Sequence, residues 1–297
     1  MSQIPAELKT AFTSFDLGDG SVALVGSDTE SNRISPLATD GTVSLINGGN
    51  AADTLAGGES QGVIIFGFDG DDSLLGVGGD EELFGNEGND SLRGREGNDL
   101  LYGGQGDDFI GGGAGADRIG GDKGNDFLDG GAGDDVVRGN EGNDTILGGE
   151  GNDLLYGELD ADVLQGGKGA DTLYGGQGSD TLRGGAGDDF LSGDKGNDVV
   201  SGGAGSDTFA IRHLGADNAD TVSDFNAAED QIGLSTDVFG SLGPAVEASE
   251  FTTFAGGSAP TAGLAYDTTT GQLFFDGQLV MTIAGSPTIT SGDFELF

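Results

Sequence analysis

The chain has 297 residues, with 52 acidic against 11 basic side chains, a net charge of −41, 62 glycines and no cysteine. A charge of that size excludes direct binding to nucleic acid or to an anionic membrane surface, and it disfavours any compact state without counter-ions. Disulfides are excluded, and no stretch approaches the ~18–20 apolar residues of a membrane span.

Residues 1–47 form the first segment. Ile4, Leu8, Ala11, Phe12 and Phe15 recur at helical spacing with Pro5 near the first turn, which predicts a short amphipathic helix. Ser21–Val25 and Thr42–Ile46 read as strands. No basic stretch followed by an apolar run opens the chain, so no Sec-type signal peptide is expected. The segment is too short for an ordinary enzyme domain. It is expected to cap the open end of a solenoid beginning at residue 48, in preference to forming a binding site.

A repeat domain is expected over residues 48–210. Gly48-Gly49-Asn50-Ala51-Ala52-Asp53-Thr54-Leu55 reads as a first copy, with Asp53 as a candidate ligand. In the next copy Gly62 takes the place of that aspartate, and Phe66 reads as an inserted residue that resets the phase. Sixteen uninterrupted nonapeptides then run from Gly67 to Ala210. Position one is always Gly, and position four is Gly except at Asp160. Position six is Asp72, Glu81, Asp90, Asp99, Asp108, Asp117, Asp126, Asp135, Asp144, Asp153, Asp162, Asp171, Asp180, Asp189, Asp198 and Asp207. Position eight is always apolar, from Leu74 to Phe209.

Each unit divides into a Gly-rich turn, where glycine supplies positive φ, and a very short strand whose position-eight side chain faces inward. Two units make one coil of eighteen residues, and strands stack on the coil below. Asp90 then lies over Asp108, Asp108 over Asp126, and Asp99 over Asp117. Carboxylates stacked in this way repel one another unless a cation cancels their charge. With carbonyls of the glycine turns they make an oxygen cage suited to calcium. Sixteen units offer at most about fourteen such pairs, and full loading leaves a net charge of about −13. Calcium is therefore expected to be a folding partner. Glu81, one methylene longer than Asp, and the Asp160 unit are the irregular sites.

Residues 211–297 lose the nine-residue phase. Gly263–Asp267, Gln272–Asp276 and Leu279–Ile283 predict a β-meander that caps the other end.

The pattern Gly-Gly-x-Gly-x-Asp-x-apolar-x, clean in Gly103–Ile110 and Gly184–Leu191, resembles the RTX (repeats-in-toxin) family. The resemblance implies an all-β fold, a parallel, right-handed calcium-binding β-roll. It implies that the sixth-position aspartates, Asp72 and Asp90 through Asp207, bind calcium together with turn carbonyls. It extends past the repeats to Asp220-Thr221-Val222-Ser223-Asp224-Phe225-Asn226 and Glu229-Asp230-Gln231-Ile232. The ending Asp293-Phe294-Glu295-Leu296-Phe297 is similar to that of substrates of type I secretion machinery, a reading preferred here to that of a plain terminal strand.

No active site is expected. His213 is the only histidine, so no zinc-binding His pair exists, and a Ser-His-Asp set would depend on it alone, with no Gly-x-Ser-x-Gly elbow expected to serve it. Regular repetition of carboxylates argues for metal ligation over acid/base work. The preferred reading is a secreted calcium-binding structural, matrix or cell-surface protein that folds after export. The alternatives are an adhesin or polysaccharide-binding module, marked by a flat row of Thr or aromatics, and a carbohydrate-active enzyme using terminal carboxylates. Thr at position seven is too scattered to form such a row. Cell-surface polysaccharide and self-association are the further partners considered.

Overall fold

The computed structural model describes residues 13–16, 22–25, 43–57, 63–215, 217–242 and 245–297, with the backbone alone for 13–16, 22–25, 43 and 44. The chain divides into two compact units, Met1–Glu150 and Gly151–Phe297.

In the first unit the nonapeptides alternate between two sheets. Ile64–Asp69, Glu82–Glu87, Leu100–Gln105, Arg118–Lys123 and Val136–Glu141 lie side by side in one, and Ser73–Leu75, Ser91–Glu96, Phe109–Ala114, Phe127–Ala132 and Thr145–Glu150 in the other. Neighbours are parallel and eighteen residues apart: Ile110 pairs with Leu128, and Ile119 with Val137. Two nonapeptides thus make one coil, the parallel β-roll that the period predicts. Leu74, Leu83, Leu92, Leu101, Ile110, Ile119, Leu128, Val137 and Ile146 point inward and are at most 3% exposed. One large apolar side chain per strand is what the narrow interior holds.

The strands are longer than expected. Six residues, such as Phe109–Ala114, take positions seven to nine and the first three of the next repeat. Reversal is confined to what remains, helped by left-handed residues at positions two and four, as at Gly104 (φ 118) and Gly106 (φ 124).

Two expectations fail at the N-terminal side. Phe15 lies in a strand, Thr13–Asp16, antiparallel to Val22–Val25, which pairs in turn with Val43–Gly49. The neighbouring strand satisfies backbone groups that a helix would have paired internally, so the helix does not reach Phe15; residues 4–12 lie outside those described. Phe66 is not an insertion. Ile46 pairs with Ile65, and Leu55 with Leu74, nineteen residues on, whereas Ile65 pairs with Leu83 at eighteen. The extra residue therefore lies between Ala56 and Ile64. Phe66 sits in register over Phe84, with the rings stacked at 4.8 Å. Val63 then stands where Glu81 does on the following coil; Gly62 lies outside the described residues.

The second unit repeats the pattern. Leu154–Leu159, Thr172–Gln177, Phe190–Lys195 and Thr208–Ile211 form one sheet, continued by Gln231–Leu234 and Phe294–Leu296. Val163–Lys168, Thr181–Ala186, Val199–Ala204 and Asp220–Val222 form the other. The predicted meander is present: Leu264–Asp267, Gln272–Phe275 and Gln278–Ile283 are antiparallel neighbours, and the last pairs with Asp220–Val222. Phe297 packs edge-on against Phe190 at 5.5 Å. Among the described residues no helix is long and apolar enough to cross a membrane.

Candidate metal centre

Each turn delivers its sixth residue to a buried edge of the roll. Asp90, Asp108 and Asp126 are 2–3% exposed, and Asp171, Asp180, Asp189 and Asp198 no more than 2%. Eighteen-residue stacking then fixes one carboxylate oxygen. Asp108 Oδ1 accepts the backbone N–H of Asp90 at 2.7 Å, and Asp126 Oδ1 that of Asp108 at 2.8 Å. In the second unit Asp189 Oδ1 accepts from Asp171 and Asp198 Oδ1 from Asp180, both at 2.8 Å.

The other oxygen is left over. Oδ2 of Asp72, Asp90, Asp99, Asp108, Asp117 and Asp126, and of Asp171, Asp180, Asp189, Asp198 and Asp207, is buried with no hydrogen-bond partner. Orphaned buried carboxylate oxygens are costly and call for a compensating cation. Asp135, Asp144, Asp153 and Asp162 are buried to the same degree. Asp135 and Asp144 accept the N–H groups of Asp117 and Asp126.

Position one explains where the orphaned oxygen points. A methyl group on Gly85 would land on Asp90 Oδ2 and 2.6 Å from the Gly103 carbonyl oxygen. One on Gly94 would land on Asp99 Oδ2 and 2.8 Å from the Gly112 oxygen. In the second unit Gly166 has the same relation to Asp171 and to the Gly184 oxygen at 2.7 Å. None of these glycines is left-handed. They are required because the space a side chain would fill is bordered by a carboxylate and by a carbonyl of the next coil. The two oxygens lie within about 5 Å of each other, so one ion with Ca–O distances of about 2.3–2.6 Å can touch both. Among the described residues no three His, Cys, Asp or Glu side chains converge. The other donors beside the carboxylate are backbone oxygens such as that of Gly103, a donor set that suits a hard divalent cation and not zinc.

The electrostatics agree. Burial raises the Asp108 carboxyl to about 8, against the lowering effect of the Asp90 N–H, with the charges of Asp126 and Asp90 adding to the rise. Burial likewise raises Asp180 to about 7 and Asp126 to about 6, opposed by the N–H bonds from Asp162 and Asp108.

The irregular sites keep the glycine cradle but differ in their hydrogen bonds. Glu81 is 1% exposed, and both its carboxylate oxygens lack a hydrogen-bond partner. A methyl on Gly76 would meet Oε2 at 2.7 Å and also the Gly94 oxygen, so the longer side chain still reaches the cradle. Asp53 Oδ2 accepts the Gly49 N–H at 2.8 Å and faces the Gly67 carbonyl. Asp160 takes the left-handed conformation (φ 72) that glycine takes elsewhere, and Asp162 beyond it stays buried.

Two features escape the nonapeptide reading. Position five carries a second ladder, running the opposite way: Asn89 Oδ1 accepts the Asp107 N–H at 2.7 Å, and Asp107 Oδ1 the Asn125 N–H at 2.8 Å. The recurrence of Asn and Asp at that position is its signal. Beyond the repeats, Asp220 and Asp230 accept the N–H groups of Asp198 and Asp207 at 3.2 and 3.1 Å. Their signal is the Asp-x-apolar triplet retained in Asp220-Thr221-Val222 and Asp230-Gln231-Ile232.

His213 Nδ1 is buried without a hydrogen-bond partner. Contrary to expectation, Gly58-Glu59-Ser60-Gln61-Gly62 does match the Gly-x-Ser-x-Gly pattern. Its residues lie outside those described, and strands Thr54–Ala56 and Ile64–Asp69 flank it instead of the strand and helix that a nucleophile elbow joins.

The model of the RTX calcium-binding nonapeptide repeat matches residues 75–110, 84–119, 111–146, 138–173, 147–182 and 174–209. These parts of the chain are RTX calcium-binding repeats. No curated protein matches the chain. Among matching solved structures is the solution structure of the AlgE6R3 subunit from the Azotobacter vinelandii mannuronan C5-epimerase. It is 22% identical, covers 46% of this chain and 79% of that one, and has a TM-score of 0.32.

Proposed function

We propose that this RTX calcium-binding β-roll protein is extracellular and acts as a structural or cell-surface component that folds when calcium fills its aspartate ladder. The observation that carries the reading is the row of buried Oδ2 atoms, with a glycine carbonyl of the next coil beside those of Asp72, Asp90, Asp99, Asp117, Asp126, Asp171, Asp180 and Asp189. Asp72, Asp90, Asp99, Asp108, Asp117, Asp126, Asp135, Asp144, Asp153, Asp162, Asp171, Asp180, Asp189, Asp198 and Asp207 are the proposed ligands. At low calcium the net charge of −41 opposes compaction and leaves the chain unfolded for export through type I machinery. Millimolar calcium outside the cell neutralises the ladder. Neighbouring sites share coils, so each ion orders the next. In this reading residues 1–47 and 211–297 cap the roll over 48–210.

Calcium titration of chelator-treated protein, followed by far-ultraviolet circular dichroism, tests the proposal. A steep coil-to-β transition that magnesium does not produce is expected. A chain already β-rich in chelator and unresponsive to calcium would sink it.

A second reading, a polysaccharide-binding surface, is favoured by one observation. Position nine of alternate repeats carries stacked rings, Phe66, Phe84 and Tyr102 in the first unit and Tyr156 and Tyr174 in the second. Retention on gels containing neutral or acidic polysaccharides tests it, and uniform migration would exclude it.

A further inference from the structure

We propose that the second unit binds a hexose residue of a neutral polysaccharide on the outer face of one sheet, in a hollow walled by Tyr156 and Tyr174 and flanked by Glu158, Asp194 and Arg212. The inference rests on the second reading above, a polysaccharide-binding surface, and gives that reading a site and a ligand class.

The eighteen-residue step builds the hollow. Glu158 pairs with Gly176, and Gly176 with Asp194, so successive strands of one sheet bring these positions into a column. Arg212 continues it, eighteen residues beyond Asp194. Two residues earlier on the same strands, Tyr156 pairs with Tyr174, and their rings stack at 5.2 Å. These residues line a hollow of about 370 Å³, a size that suits a small ligand. Gly176 is its floor. A methyl group there would land on the Glu158 carbonyl oxygen, and a φ of 109 strains any other residue. The column is therefore open at one coil and walled by side chains on the coils to either side.

The side chains are held before any ligand arrives. The Arg212 guanidinium lies 5.4 Å from the centre of the Tyr174 ring, and its Nε is 3.6 Å from Asp194 Oδ1. The same Oδ1 accepts the Ser192 hydroxyl at 2.8 Å, which leaves Oδ2 for a ligand. The row of rings continues from Tyr174 to Phe190 at 6.0 Å and from Phe190 to Phe297 at 5.5 Å. Phe297 is 43% exposed, so apolar surface extends beyond the hollow for further sugar units.

The chemistry selects the ligand. Aromatic walls beside carboxylates and a guanidinium match a pyranose, which has apolar C–H faces and a rim of hydroxyls. Carboxylates accept from hydroxyls, and the guanidinium and phenols donate to them. An anionic sugar is disfavoured. Two carboxylates outnumber the one guanidinium, Asp194 already engages that guanidinium, and the chain carries −41. A cationic ligand is disfavoured because Arg212 occupies the Tyr174 face. An uncharged, hydroxyl-rich ring satisfies every group in the hollow.

The test is affinity electrophoresis of the calcium-saturated full chain in gels containing dextran, galactomannan or hydroxyethyl cellulose, with alginate and polygalacturonate for comparison. Retention by at least one neutral gel is expected. It should weaken at least about fivefold in Tyr174→Ala and in Arg212→Ala, and stay unchanged in Phe109→Ala, which removes an exposed ring of the first unit. Retention by acidic gels alone overturns the inference while the polysaccharide-binding reading stands. So does neutral retention that either hollow variant keeps in full, or that Phe109→Ala weakens equally. No retention by any gel overturns both. If the variants do not fold in calcium, crystals of the unaltered protein soaked in an oligosaccharide of the retaining polymer decide the matter. Sugar density over Gly176 supports the site, and its absence overturns it.

Discussion

Replacing Asp108 with Asn should shift stability in opposite directions with and without calcium. The amide keeps an acceptor for the Asp90 N–H, which Asp108 Oδ1 now takes at 2.7 Å, and changes the volume little. It removes the charge at Oδ2. Without calcium, Asp108 ionises near 8 in the roll because of burial, against an ordinary value of 3.8. At pH 7 that difference costs the calcium-free roll on the order of 4 kcal/mol, an upper limit since relaxation and water entry reduce it. The variant escapes this cost, so less trimethylamine N-oxide should be needed to fold it in chelator. With calcium the same change deletes a charged ligand from the cradle at Gly103. At least about 1.4 kcal/mol of binding, a factor of ten, should be lost there, and the calcium midpoint should rise. Circular dichroism reads both titrations. If the two midpoints move in the same direction, Asp108 is not a buried charge awaiting a cation, and the electrostatic account of the ladder is wrong.

Acidification should act in the same divided way. Carboxyls raised above their unfolded values make the roll bind more protons than the unfolded chain. Their contribution to the calcium-free roll is therefore fully present below about pH 4 and lost as pH rises through the values of about 6 to 8 at Asp126, Asp180 and Asp108. In chelator, less trimethylamine N-oxide should be needed to fold the chain at pH 5 than at pH 8, read by circular dichroism, and an equal or greater requirement at pH 5 would refute the account. Gly94→Ala places a methyl on Asp99 Oδ2 and 2.8 Å from the Gly112 oxygen, so it should abolish one calcium site. Gly111→Ala meets nothing within 4 Å and should be neutral or stabilise by about 0.4–1 kcal/mol; equal loss of calcium in both would refute the cradle. Asp160→Gly relieves a left-handed aspartate and should raise thermal stability by up to about 1 kcal/mol, read by calorimetry in saturating calcium.

Much of the fold was legible because the period is so strict. Gly, Asp and an apolar residue at fixed places in nine dictate turn, edge and core, and Leu128 or Leu173 has one direction in which to escape water. The buried aspartates could be named before any coordinates, since their register comes from counting. Counting misled where the chain slipped: the residue added between Ala56 and Ile64 could be placed only by the pairing of Ile46 with Ile65. Phe15 was misread because helical spacing cannot disclose that a neighbouring strand is available.

By itself the sequence determined the parallel roll, the inward apolar column, the aspartate edge and the hard-cation chemistry, all of which depend on local periodicity and charge. Tertiary structure alone decided what each aspartate does with its two oxygens. At Asp90 one is bonded across eighteen residues to the Asp72 N–H, and the other lies beside the Gly103 carbonyl of the next coil. It also decided that position-one glycine exists for space and not for φ, and that Asp220 rejoins the ladder after a step of twenty-two. These outcomes depend on distances between coils, which the order of residues along one coil does not contain.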